Sequence, residues 1–354
     1  MAIQQMFLGA GGGGGIADEY FAKKRYTGNG TTQNITTDLD MTGGGLTWIK
    51  ADDPPNGRMH TWCYDNSKQL YATETDYEYS SSNVTGWTST GFNLGSHGQT
   101  NANSANYHSW NFKKAEGFFD TVTWDGNGAA NRVISHSLDQ VPGLIIVKRI
   151  SSGLSSTSSQ WVTMLNVPGS RFGSSFSGHI NYNEKYKELY GWEQTDPTST
   201  GFTVSGGGNF NYGSNNSKYR AFLFAKDTEN LIKCGSFVGG TFGNDQSVNV
   251  GFKPQFLLIK GWVNTDYTGS TGQGDWMLFD DSMATVSANQ YKEYFEFGGT
   301  GLNGASSGRV NSDLLTLNPS QYVEFTDTGF TISSTNYNLQ AQNNDFFYMA
   351  IAAP

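Results

Sequence analysis

Four short signatures recur in the same order three times along this chain, and that recurrence constrains the fold more than any single motif. The first is turn-rich: "YTGNGTTQNI" (26–35), "WDGNGAANRV" (124–133) and "FVGGTFGNDQSV" (237–248). The second is an apolar run ending in lysine: "LTWIK" at Lys50, "LIIVK" at Lys148 and "FLLIK" at Lys260. The third carries a tryptophan and runs into a loop: "HTWCYD", "QWVTML" and "DWMLFD". The fourth opens at Ser89, Ser199 and Asp327 with T-G-F, crosses an Asn-rich loop and closes on an aromatic run. The lysines are 98 and 112 residues apart. The extra length falls in polar stretches such as "SSGLSSTSSQ", where insertions cost little.

Each unit reads as β-structure. Asn-Gly between β-prone flanks is the signal of a two-residue hairpin. Pro142 and Pro254 suit strand starts, where a missing N–H does no harm. "LTWIK" and "FLLIK" are continuously apolar and read as inner strands, whereas "GFTVS" alternates and should keep one wet face. No helix is convincing. Aromatic residues at 14% and 45 glycines agree, since ring-rich strands with Gly and Asn in their turns suit an all-β chain. The expectation is an all-β protein of three tandem β-sandwich repeats, jelly-roll or lectin-like, at 24–114, 115–229 and 230–354. An immunoglobulin-like sandwich fits less well without a Cys–Trp–Cys pattern.

Charge and composition narrow the function. Twenty-two basic against 31 acidic residues give −9 at pH 7, so nucleic acid is repelled. "KKR" (23–25) reads as a solvated linker, and no apolar run is long enough for membrane insertion. Cys63 and Cys234 read as two separate reduced thiols. Asp52–Asp53 and Asp280–Asp281 are neighbours whose side chains diverge on an extended chain, so they read as solvated loop acids. Five histidines show no ligand spacing, and no nucleophile motif is present. The chain is therefore expected to be no enzyme, with no metal and no cofactor.

Two regions invite a binding role. "GAGGGG" near the start satisfies G-x-G-x-x-G, but the apolar triplet before it and the short segment behind it cannot be drawn as a βαβ unit. Residues 1–23 read instead as an apolar, Gly-rich anchor or linker, with Met6, Phe7, Leu8, Gly9, Gly11, Gly12 and Gly13 as candidate docking residues. The Asn-rich loops of the second and third units offer rings beside amides, a chemistry suited to sugar faces or a protein groove. Their candidate recognition residues are Asn209, Phe210, Tyr212 and Asn215, then Tyr337, Asn338, Gln340 and Asn343.

The order of "YTGNG", "PGLIIVK" and "PQFLLIK", a Trp strand running into Asp, T-G-F and a final "YMAI" resembles a repeat in virion proteins of marine bacteriophages, particularly cyanophages. It covers nearly the whole chain after about residue 24, most closely in the second and third units. The resemblance implies a non-enzymatic structural protein of the virion, assembled in the host cytoplasm: a tail-fibre or appendage component. Its N-terminus would dock on portal, tail or capsid proteins, and its β domains would meet a host glycan or protein. It leaves capsid decoration and a carbohydrate-binding or depolymerising module as alternatives. Homo-oligomerisation is expected because weak contacts gain from multivalency, with a trimer as one candidate. Packing of the units along one another within one chain is the other arrangement that spare Trp and Phe would allow.

Overall fold

The computed structural model describes residues 15–52, 60–65, 67–72, 74, 76–151, 161–166, 176–179, 195–206, 210–213, 216–241, 243–262, 276–291, 293–297, 315–316, 320–335, 339 and 345–354. After a 3-10 turn at Ile16–Glu19, the first stretch holds β1 (Phe21–Thr27), β2 (Gln33–Thr36), β3 (Gly45–Ala51), β4 (Thr61–Tyr64), β5 (Lys68–Tyr71), β6 (Tyr79–Ser80), β7 (Val84–Thr88), β8 (Gly91–Leu94) and β9 (Asn106–Lys113). The second holds β10 (Phe119–Asp125), β11 (Arg132–Ser135), β12 (Pro142–Arg149), β13 (Trp161–Leu165), β14 (Phe176–His179), β15 (Gly201–Val204) and β16 (Lys218–Ala225). The third holds β17 (Asp227–Thr228), β18 (Ile232–Val238), β19 (Gln246–Asn249), β20 (Pro254–Trp262), β21 (Trp276–Asp280), β22 (Thr285–Ser287), β23 (Gln290–Tyr291), β24 (Glu293–Phe297), β25 (Leu315–Thr316), β26 (Val323–Thr326), β27 (Gly329–Ile332) and β28 (Asp345–Ala352).

Every stretch builds one large and one small antiparallel sheet, a sandwich-type arrangement. The large sheets run β1-β9-β3-β4-β5-β6, β10-β16-β12-β13-β14 and β17-β18-β28-β20-β21-β24-β25, so a common five-strand order appears in each. The small sheets are β2-β8-β7, β11-β15 and β19-β27-β26-β23-β22. Pro142 and Pro254 do open strands, each followed by a register shift against its neighbour. Gly45 holds the corresponding place in the first stretch, where a Cβ would sit 2.2 Å from the Phe112 carbonyl oxygen.

The large sheets are buried on both faces, which is why their strands read as continuous apolar runs. In the first stretch, Ile49, Ala51, Cys63 and Tyr107 face the small sheet's Ile35, Phe92 and Leu94. The opposite face carries Leu46, Trp48, Trp62, Trp110 and Phe112 into one core shared by all three stretches. Phe112 lies at its centre: its ring is 5.1 Å from Phe21, 5.3 Å from Phe224 and 5.7 Å from Phe256. Trp62 meets Trp161 at 5.1 Å and Phe222 at 5.0 Å, and Trp110 meets Phe295 at 5.4 Å. The units pack along one another within the single chain.

Strand register gives the molecule two unlike ends. At the near end lie Phe21 opposite Phe112, Phe119 opposite Phe224 and Pro254 opposite Ala352. Both joins between stretches fall there, and so does Gly15, where a Cβ would sit 2.5 Å from the Pro354 carbonyl carbon. At the far end lie Thr27 opposite Asn106, Asp125 opposite Lys218 and Val238 opposite Asp345. All three Asn-rich loops open from that end.

Several expectations change. The "GNG" segments do not close hairpins: β1 pairs with β9 while β2 pairs with β8, so the turn crosses between the two sheets. Only its second glycine takes positive φ, +72° at Gly30 and +74° at Gly128, whereas a type I′ turn needs two such residues. The tryptophans of the third signature are not equivalent either. Trp161 and Trp276 stand opposite Lys148 and Lys260, but Trp62 stands opposite Trp48. Residues 16–23 of the segment read as an anchor are part of the fold, with Ala17 and Phe21 each 1% exposed. "KKR" is not a linker but lies within β1, where Lys24 and Arg25 face solvent and Lys23 and Arg25 make the ion pairs described below.

Candidate functional site

Two of the far-end loops are tied down by the strands that carry them. Three equivalent cross-strand ring pairs are stacked there: Tyr26–Tyr107 at 5.1 Å, Trp124–Tyr219 at 5.6 Å and Phe237–Phe346 at 5.0 Å. The first two pairs also hold backbone. Tyr26 Oη donates to the Thr100 carbonyl (2.6 Å), and Tyr107 Oη accepts from Ala102 N (2.9 Å). Trp124 Nε1 donates to the Phe210 carbonyl (2.9 Å), and Tyr219 Oη accepts from Tyr212 N (3.0 Å). Phe237 and Phe346 have no polar atom on their rings, so the third loop is given no such tie by its pair.

A buried asparagine completes each of the first two clamps. Asn101 Oδ1 accepts from Asn29 N (2.9 Å) and its amide donates to the Gly95 carbonyl (2.7 Å). Asn211 Oδ1 accepts from Asn127 N (3.1 Å) and Arg132 Nη1 (2.9 Å), while its amide donates to Asn127 Oδ1 (2.7 Å) and the Ala129 carbonyl (2.8 Å). Both side chains are fully buried and fasten the G-N-G crossover to the Asn-rich loop. Asn211→Ala leaves several of these groups unpaired, and a loss of about 1–3 kcal/mol is expected in chemical denaturation. Sequence reading missed both residues. Their one cue is an asparagine a few positions before the closing strand's tyrosine, and asparagine is too common in these loops to stand out.

The candidate recognition residues separate accordingly. Tyr212 is 38% exposed at the far end. Phe210 is not a surface residue: it is 1% exposed, because its side chain fills the core while its carbonyl receives the Trp124 indole. Asn209, Asn215, Tyr337, Asn338, Gln340 and Asn343 lie outside the described residues, as do Met6, Phe7, Leu8, Gly9, Gly11, Gly12 and Gly13.

Several charged side chains link one stretch to another. Lys23 pairs with Asp281 (2.7 Å) and donates to Gln255 Oε1 (2.6 Å), joining the first stretch to the third. Arg25 pairs with Asp52 (2.7 Å). His108 sits between Asp52 (3.2 Å) and Asp280 (3.5 Å). Asp280 is no solvated loop acid but fully buried, accepting from Trp110 Nε1 (2.7 Å) and Ser282 N (2.8 Å). At the place equivalent to His108, Arg220 reaches Asp65 of the first stretch and stacks 4.3 Å from the Tyr64 ring.

These groups are placed to bind strands together. His108 and Asp280 are the nearest thing to an acid–base pair, yet their side chains are only 2% and 0% exposed, which leaves a substrate no approach. His60 is held far below its usual pKa by burial and by Lys50, and its neutral Nδ1 accepts from Trp48 Nε1 at 3.0 Å. Burial lowers the Lys148 amine to about 7 against the pull of Asp76. Both cysteines are free and buried, and burial pushes the Cys63 thiol up to about 12, which disfavours the nucleophilic thiolate. Among the described residues no group of three His, Cys, Asp or Glu is placed to hold a metal ion, and no helix is long and apolar enough to cross a membrane.

The model of a family described as "Domain of unknown function (DUF7483)" matches residues 17–354. The chain belongs to this family. One DUF7483 match takes in all three stretches, in keeping with a core to which each contributes. No curated protein matches the sequence.

Proposed function

We propose that this chain is a non-enzymatic structural protein of a bacteriophage virion, a tail-fibre or appendage component. Its N-terminal segment docks on the particle and its far-end loops meet the host surface. The observation that carries this reading is the polarity of the fold. Gly15, which leads out of the Gly-rich segment, lies at the near end, and the Asn-rich loops open from the other. Gly15 and the strand ends that carry those loops are thereby separated by the length of the strands. The resemblance to cyanophage repeat proteins supplies the particle, and the buried, mutually paired ionisable groups favour a structural role over catalysis. The second faces of the large sheets are covered within one chain, so a homotrimer is not needed to bury them.

Deleting residues 1–14 is expected to leave a folded protein, with an unchanged circular dichroism spectrum, that no longer enters particles. Particles that incorporate the truncated chain at the normal level would remove the anchor from the reading. Antibody to residues 230–354 on intact virions should label tail appendages in electron micrographs. Label spread over the head would make the chain a capsid decoration protein instead.

A further inference from the structure

A row of three tyrosines lies beside the free edge of the first large sheet, in the segment "YATETDYEYS" (71–80). The Tyr77 ring is 5.8 Å from Tyr79, and Tyr79 is 5.6 Å from Tyr71. Tyr77 is 50% exposed and the other two are half-buried. Large rings in contact and open to water are unusual on a chain that buries most of its aromatics. They share no part in the core that joins the stretches.

The row is held in place from outside its own sheet. Trp161 Nε1 donates to the Glu74 carbonyl (2.8 Å), and Glu78 N donates to the Ile150 carbonyl (3.2 Å). Both partners come from the second stretch, and Ile150 follows the far end of β12. The Tyr79 hydroxyl donates to the Asp76 carboxylate, which orients that ring. Glu74 and Glu78 lie within the same segment, and Glu78 also accepts from Tyr64 Oη (3.0 Å) and pairs with Lys68 (3.3 Å).

We propose that Tyr71, Tyr77 and Tyr79, with Asp76, form a binding site for a neutral pyranose of a surface glycan. The proposal rests on the host-attachment reading above and gives it a site. Tyrosine faces present rigid apolar area to the C–H face of a sugar ring at small entropic cost. The Asp76 carboxylate, an acceptor only, suits sugar hydroxyl donors. The acidic surround, on a chain of net charge −9, repels phosphorylated and uronic acid sugars and so selects neutral ones. The site stands on a segment hydrogen-bonded to the second stretch at Glu74 and Glu78, so little ordering is left for the ligand to impose.

The test is saturation-transfer and titration NMR of the full chain with neutral hexaoses of the cello, malto, manno and chito series. Hexagalacturonate and tetramethylammonium serve as charged controls. At least one neutral hexaose should bind, and Tyr77→Ala should weaken it by about tenfold. The thermal midpoint should move little, since Tyr77 is half exposed. Asp76→Asn should weaken the neutral sugar, and hexagalacturonate should not bind the parent. The site is overturned if no neutral hexaose binds, if Tyr77→Ala binds as well as the parent, or if tetramethylammonium binds the row in preference to sugar. Labelled protein on host cells separates the two readings. Cell binding that survives Tyr77→Ala keeps attachment and removes this site. Sugar binding without cell binding removes attachment alone.

Discussion

Phe112→Ala is expected to destabilise the whole chain, not its first third. The side chain is fully buried and touches rings from all three stretches, so truncation removes its transfer energy and leaves a cavity at the centre of the shared core. Such changes cost about 3–5 kcal/mol. For a chain of this length that is a fall of roughly 4–7 °C in the melting midpoint. Differential scanning calorimetry should show one main transition in the parent, displaced as a unit in the variant. Three separable transitions, with one of them shifted, would mean that the stretches fold as independent domains and that the common core contributes little.

The second large effect is electrostatic. Burial alone would raise the Asp280 carboxyl, but the His108 imidazole, Ser282 and Trp110 together hold it below the ordinary carboxylate range. A folded-state pKa below the unfolded value of about 3.9 means that stability is fully present above about pH 4. That part is lost as pH falls through the folded value. Asp280→Asn should therefore cost about 2–4 kcal/mol at pH 7, where a charge facing His108 is removed from a buried network. The deficit should shrink below pH 4, where the parent loses its own carboxylate. Urea midpoints of both proteins between pH 7 and pH 2 decide the matter. Parallel curves over the whole range would show that Asp280 carries no linked proton.

Much of the architecture was legible because burial is written into composition along each strand. "LIIVK" and "FLLIK" have no polar alternation, and both lie in sheets covered on two faces. "GFTVS" alternates because its strand belongs to a small sheet with one face to solvent: Phe202 and Val204 are buried and Thr203 is not. The G-N-G segments misled for a local reason. Their turn chemistry suits a hairpin, but the partner of β1 lies some eighty residues downstream in β9, and that long-range pairing overrides the local preference. Phe210 misled because an aromatic in a polar loop looks the same in sequence whether it points outward or into the core. The tyrosine row escaped notice because Tyr71 meets Tyr79 only when β5 and β6 pair.

By itself the sequence determined that this chain is all-β, built on a threefold pattern, with double-sided burial of its lysine-ended strands, since periodicity and ring content depend on neighbours along the chain. Only the tertiary structure decided that the three large sheets share one core, that Asp280, His108, Lys23 and Arg220 join the stretches, and that Gly15 and the Asn-rich loops stand at opposite ends. Those outcomes depend on strand register and on contacts between residues more than a hundred positions apart, such as Trp110 with Asp280, which no local pattern encodes.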